Sequence, residues 1–112
     1  MKNTLLQITN NGMGLGNDEL GLQLITNYLK LIVEEEQLPN FITFYNSGVK
    51  LLCEESPVID ILKTIESKGV KLIACKTCLN YFNLIDKLEV GILGTMVDII
   101  SLQSSVQKVI NL

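Results

Sequence analysis

The 112-residue sequence predicts an α/β domain: a three-layer α/β/α arrangement around a mainly parallel sheet of about five strands. Three observations carry that expectation. Short apolar runs alternate along the chain with segments of helical periodicity. The runs hold few polar side chains, as in strands buried on both faces. Glycine, asparagine or Ser-Pro punctuates most junctions. Such alternation implies right-handed crossovers and helices on both faces of the sheet.

The first strand is Thr4-Leu5-Leu6-Gln7-Ile8-Thr9, ended by the turn Asn10-Asn11-Gly12. Gly12-Met13-Gly14-Leu15-Gly16-Asn17 follows, and Asn17 is the expected N-cap of a long helix reaching about Glu36. Asp18 and Glu19 fall in its first turn, where the helix dipole favours acids. Leu20, Leu24, Tyr28, Leu31 and Ile32 share one face at helical spacing and are expected to meet the sheet. Leu22, Leu29 and Val33 form a second stripe, which suggests burial against a partner subunit.

Leu38-Pro39 ends that helix, and Phe41-Ile42-Thr43-Phe44-Tyr45 makes the second strand, with Asn46-Ser47-Gly48 as a loop after it. Ser56 is the expected cap of the next helix, with Pro57 at its first position, where the missing N–H costs nothing. Val58, Ile61, Leu62 and Ile65 form its apolar face, and Gly69 closes it. Val70 to Ala74 is the third strand, leading into Cys75-Lys76-Thr77-Cys78, and Leu79 to Phe82 opens a helix. Leu84 to Leu88 is a short helical piece and Val90 to Leu93 a short strand. Thr95 and Asp98 form a capping box for a helix through Leu102, and Val106 to Leu112 is the last strand. One domain covers residues 1–112, long enough for its own core without disulfides.

Composition narrows the function classes. The net charge is −3, and all nine basic residues are lysines spread along the chain. Nucleic acid, which requires clustered cations, is not an expected partner. No uninterrupted apolar stretch approaches the ~18 residues of a membrane span. Histidine is absent, which excludes a Ser-His-Asp or Cys-His hydrolase and a His-ligated metal from within this chain. Three cysteines without a signal peptide point to a reducing, cytoplasmic setting. The mean hydropathy, +0.34, is high for so small a chain and suggests surface covered in a homo-oligomer.

In parallel sheets ligands sit at the carboxyl ends of the strands. Three loops are expected to converge there: Asn11 to Asn17, Asn46 to Lys50, and Cys75 to Cys78. Cys75 ends a buried strand just ahead of a helix, whose dipole favours thiolate over thiol, and Lys76 adds a cation beside it. The alternative is that Cys75 is a small apolar plug, since free cysteine is often buried. Cys78, a turn further on, reads as a resolving partner, and Cys53 as a packing residue. One C-x-x-C plus Cys53 supplies only three of the four ligands of a structural zinc site, so no metal is expected. Gly12, Gly14 and Gly16 miss the dinucleotide fingerprint, because the third glycine comes one place early and the second strand ends without an acid. A loop presenting N–H groups to an anion and a turn that merely needs positive φ both remain open. No cofactor is expected. Gly12, Gly14, Gly16, Asn46, Ser47, Gly48, Lys50, Lys76 and Thr77 are the candidate anion- or substrate-binding residues, with Cys75 and Cys78 as the reactive pair.

Asn46-Ser47-Gly48-Val49-Lys50-Leu51, Cys75-Lys76-Thr77-Cys78-Leu79-Asn80-Tyr81 and the opening Gly12-Met13-Gly14-Leu15-Gly16-Asn17-Asp18-Glu19-Leu20-Gly21 resemble the DsrE-like domain of YedF-type selenium metabolism proteins. The resemblance spans nearly the whole chain. It implies an α/β/α fold, a multimer, and a cysteine carrying persulfide sulfur between partners at the end of the third strand, where Cys75 stands. It also implies a TusA-like sulfur-carrier domain or protein as a partner; because Met1 opens directly on the DsrE-like part, that domain is expected to be separate or lost. The sequence departs from the family's usual C-G-T-C at Lys76, and from its usual glycines at Glu55 and Asn83. Two readings stand: a sulfur or selenium relay, sulfurtransferase-like in its chemistry, and a non-catalytic oligomeric interaction subunit with structural or redox-regulatory cysteines.

Overall fold

All five strands run parallel, in the order β4-β3-β2-β1-β5, in a computed structural model that describes residues 1–112. The strands are β1 (Thr4–Ile8), β2 (Phe41–Phe44), β3 (Lys71–Cys75), β4 (Ile92–Gly94) and β5 (Lys108–Asn111). Four α-helices connect them: α1 (Asp18–Glu34), α2 (Ile59–Ser67), α3 (Lys76–Tyr81) and α4 (Met96–Ser105). The first three crossovers step the same way across the sheet and the last returns to the far side of β1. Right-handed connections therefore put α1 to α3 on one face and α4 on the other.

Side chains separate along that division, because successive strand residues point to opposite faces. Leu6 and Ile8 align with Ile42 and Phe44 on β2, and those with Leu72 and Ala74 on β3. All six join Ile25, Leu29 and Ile32 of α1 and Leu62 and Ile65 of α2 in the main core. On the opposite face the Gln103 Nε2 of α4 donates to Gln7 Oε1 at 2.7 Å. There a Cβ on Gly94 would collide with the Ile73 side chain, so β4 needs glycine where the chain turns into α4. The expected three-layer α/β arrangement is therefore present. No helix is long and apolar enough to cross a membrane.

The local signals work where expected, with shifts at the ends. Asn17 Oδ1 accepts from Leu20 N at 2.9 Å, and the Thr95–Asp98 capping box is complete. Gly69 ends its helix at φ 96°. Glu55 and Asn83 lie at φ 71° and 57°, the left-handed region that favours glycine. Two expectations fail. The α2 helix starts at Ile59 rather than Pro57, because Ser56 Oγ accepts from Val58 N at 3.3 Å in a turn before the helix begins. The expected Asn46-Ser47-Gly48 loop is the start of a 3-10 helix, Asn46–Leu52.

The rotation of α1 differs more. Gly21, Ile25, Leu29 and Ile32 face the core, whereas Leu20, Leu24 and Leu31, expected inside, are exposed. Leu29, assigned above to the partner-facing stripe, is fully buried, and Leu22 and Val33 are half-buried. The reason lies at Gly12. Having no side chain, it lets the glycine loop lie against Gly21 in the first turn of α1, where a Cβ on Gly12 would collide with the Gly21 backbone, and Met13 N donates to Gly21 O at 2.9 Å. A helix that is apolar around most of its girth has its rotation chosen by such close approaches.

Candidate functional site

The three predicted loops meet at the carboxyl ends of β1, β2 and β3. Asn11 N donates to Ser47 Oγ at 3.1 Å, joining the first loop to the second. Asn46 N donates to the sulfur of Cys78 at 3.1 Å, joining the second to the third. The middle segment is held from below: Tyr45 N donates to Ile8 O at 3.2 Å, and Gly48 N to Tyr45 O at 3.1 Å. Gly48 rests on β1 so closely that a Cβ would collide with the Ile8 carbonyl. Its glycine is required by that contact.

Cys75 is the last residue of β3 and also caps α3. It is 2% exposed, beneath the protein surface. Cys78 is half-buried and lines an open cavity of about 410 Å³ with Tyr45, Asn46, Thr77, Tyr81 and Phe82. The Cys75 thiol is a near neighbour of Cys78 and acts on its ionisation. Burial pushes the Cys78 thiol up from its ordinary value and the neighbouring Cys75 thiol adds to this, while the Asn46 amide pulls it down. The dipole contributes little, because α3 has only six residues. Lys76 and Thr77 are exposed on its first turn, and only Thr77 lines the cavity.

The remaining candidates form a second, adjoining pocket. Gly12, Gly14 and Gly16, at φ 155°, 78° and 126°, line about 240 Å³ with Ser47, Lys50 and Asp18 among the other walls. Lys50 Nζ lies 4.6 Å from the centre of the Phe82 ring, so this lysine links the glycine pocket to an aromatic wall of the cysteine cavity. Asn46, Thr77 and Cys78 therefore share one cavity, Gly12, Gly14, Gly16, Ser47 and Lys50 share its neighbour, and Gly48 lies buried beneath. Cys53 is buried with its Sγ donating to Val49 O at 3.3 Å, a packing residue as expected. Burial pushes its thiol up, with Glu54 and Glu89 adding to the shift.

Sequence reasoning missed the aromatic walls Tyr45, Tyr81 and Phe82. Tyr81 is 80% exposed and packs edge-on against Phe82, at 5.2 Å between ring centres. Tyr81 and Cys78 stand three apart on one short helix, which is the spacing that signals a shared face.

The fold matches that of the ychN protein from E. coli, at a TM-score of 0.74 and 18% identity with all of both chains covered. It also matches a protein of unknown function, MTH1491, from Methanobacterium thermoautotrophicum, at a TM-score of 0.73 and 18% identity with 97% of both chains covered. At such identities the likeness is one of fold. No curated protein matches the chain. The sequence itself matches a family associated with sulfur relay over nearly its whole length, residues 8–112, and the chain belongs to that family, the DsrE/DsrF-like family.

Proposed function

We propose that this chain is a sulfur or selenium relay protein that carries a persulfide or selenosulfide on its Cys75–Cys78 pair. The observation carrying the reading is the pair's arrangement: two neighbouring thiols where β3 passes into α3, one open to a cavity and one buried. In the first step the Cys78 thiolate attacks the outer sulfur of a donor persulfide. A sulfur–sulfur bond forms to Cys78, the donor's own bond breaks, and the donor leaves as a thiolate that takes up a proton. No net oxidation occurs and no general base is needed, so the missing histidine is no obstacle. Cys75 then takes the outer atom from Cys78 and holds it away from solvent thiols. Attack by Cys78 on the inner sulfur of that persulfide would instead release hydrosulfide and close a disulfide. The glycine pocket, with Ser47 and Lys50, and the exposed Lys76 and Thr77 serve as the surrounding anion- and substrate-binding groups.

The burial of Cys75 and the raised Cys78 thiol favour a second reading, a non-catalytic subunit with structural or redox-regulatory cysteines. Mass spectrometry of the native protein separates the two. The relay reading expects one additional sulfur or selenium atom on the peptide bearing Cys75 and Cys78; a wholly unmodified peptide after incubation with a polysulfide would support the second.

The chain is further proposed to act as a cytoplasmic homo-oligomer that exchanges sulfur with a TusA-like carrier. Two exposed apolar surfaces support the assembly: Leu20, Leu24 and Leu31 on α1, and Ile92, Leu93, Met96, Val97 and Ile100 on β4 and α4. Size-exclusion chromatography with light scattering is expected to give a mass several times the 12.4 kDa of one chain. A clean monomer at micromolar concentration would overturn it.

A further inference from the structure

We infer that Asn46 is a positioning residue for the sulfur chemistry, its backbone N–H holding the Cys78 sulfur in place and favouring its thiolate form. The inference rests on the relay reading and gives it a specific device. The N–H lies 3.1 Å from Cys78 Sγ across 32 positions of sequence. A thiol accepts such a bond weakly, whereas a thiolate accepts it as a charge-assisted bond of roughly twice the strength. One amide therefore stabilises the attacking form of Cys78 more than its resting form.

The donor is aimed by a built framework. Asn46 stands at φ 52°, in the left-handed region that asparagine tolerates better than other side-chain-bearing residues. On one side, Tyr45 N is tied to Ile8 O. On the other, Ser47 Oγ takes the Asn11 N–H, and Gly48 is pressed onto β1. The segment cannot relax without leaving the sheet, so the N–H stays directed at the sulfur. This preorganisation is what makes a single donor effective.

The other ionisable groups around Cys78 are few. Cys75 faces it from β3, Lys76 and Tyr81 share its helix, and Tyr45 comes from the end of β2. Lys50 stands over the Phe82 ring. No carboxylate lines the cavity. Burial and Cys75 oppose ionisation, and the Asn46 amide is the lowering influence against them.

The test removes that N–H alone. Semisynthetic protein with the Tyr45–Asn46 amide replaced by an ester is compared with the parent, Asn46→Gly and Asn46→Val. Iodoacetamide alkylation of Cys78 is followed against pH by peptide mass spectrometry. The ester protein is expected to alkylate about tenfold more slowly at neutral pH, with its profile moved to higher pH. Asn46→Gly, which keeps the N–H and adopts the same backbone freely, is expected to move its profile to higher pH by much less than the ester does. Asn46→Val, which does not adopt that backbone, is expected to follow the ester. Alkylation of buried Cys53 is the control for an intact fold. Superimposable ester and parent profiles overturn the inference, and should the valine variant unfold, the ester decides alone. Failure of the parent to take up sulfur would remove the relay reading and leave these profiles unchanged.

Discussion

Cys75→Ser is expected to lose stable sulfur loading, keeping at least about tenfold less label than the parent after a brief wash with a small thiol. The parent incubated with a polysulfide, or with a selenite–thiol mixture, is expected to hold about one atom per chain, because one buried thiol accepts it. Serine has almost the same volume at a position that is 2% exposed, but its buried hydroxyl costs about 1–3 kcal/mol without a partner, so circular dichroism first establishes that the variant is folded. What disappears is the sheltered sulfur. Cys78→Ser should behave differently, loading slowly toward the parent's plateau, since the cavity-facing entry thiol is missing while the holding thiol remains. Counting label per chain by intact-mass spectrometry reads both. Normal retention by Cys75→Ser with none by Cys78→Ser would reverse the two roles. Parent-like retention by both would make the motif structural.

Phe44→Ala is expected to cost about 3–5 kcal/mol of folding stability, the range for deleting a buried aromatic side chain. Phe44 is fully buried at the end of β2, aligned with Ile8 on one side and Ala74 on the other. No single neighbour can move to fill the space, because strands fix their side-chain positions on both flanks. Against a typical total of about 5–15 kcal/mol, the variant would be marginal. Phe44 also comes just before Tyr45 and Asn46, so a loosened β2 end would misdirect the amide that meets Cys78. Urea denaturation measures the cost, and a loss below about 1 kcal/mol would mean that the core collapses around the deletion.

Both experiments act on the same short stretch of sheet, because the site is assembled by strand ends. β1, β2 and β3 are neighbours in register, so their following loops emerge side by side. The hydrogen bonds from Asn11 to Ser47 and from Asn46 to Cys78 then join three segments that are distant in sequence. Stability and chemistry are coupled here through backbone position.

The sequence by itself determined the α/β class, the alternation of elements, the caps at Asn17 and Thr95, the stop at Gly69 and the convergence of three loops. Caps and stops depend on atoms within a few residues of one another, so local chemistry decides them wherever the chain goes. Loop convergence follows almost as directly, since parallel strands must all end on one side. Only the tertiary structure decided that Leu20, Leu24 and Leu31 face outward while Gly21, Ile25, Leu29 and Ile32 face in. Apolar residues occupied too much of the α1 circumference for periodicity to choose, and the close approach of Gly12 to the Gly21 backbone chose instead. Only the fold could likewise bury Cys75, leave Cys78 open to an aromatic cavity and bring the Asn46 amide to its sulfur. Each of these depends on how far one packed element stands from another, a distance that the spacing of residues along the chain does not contain.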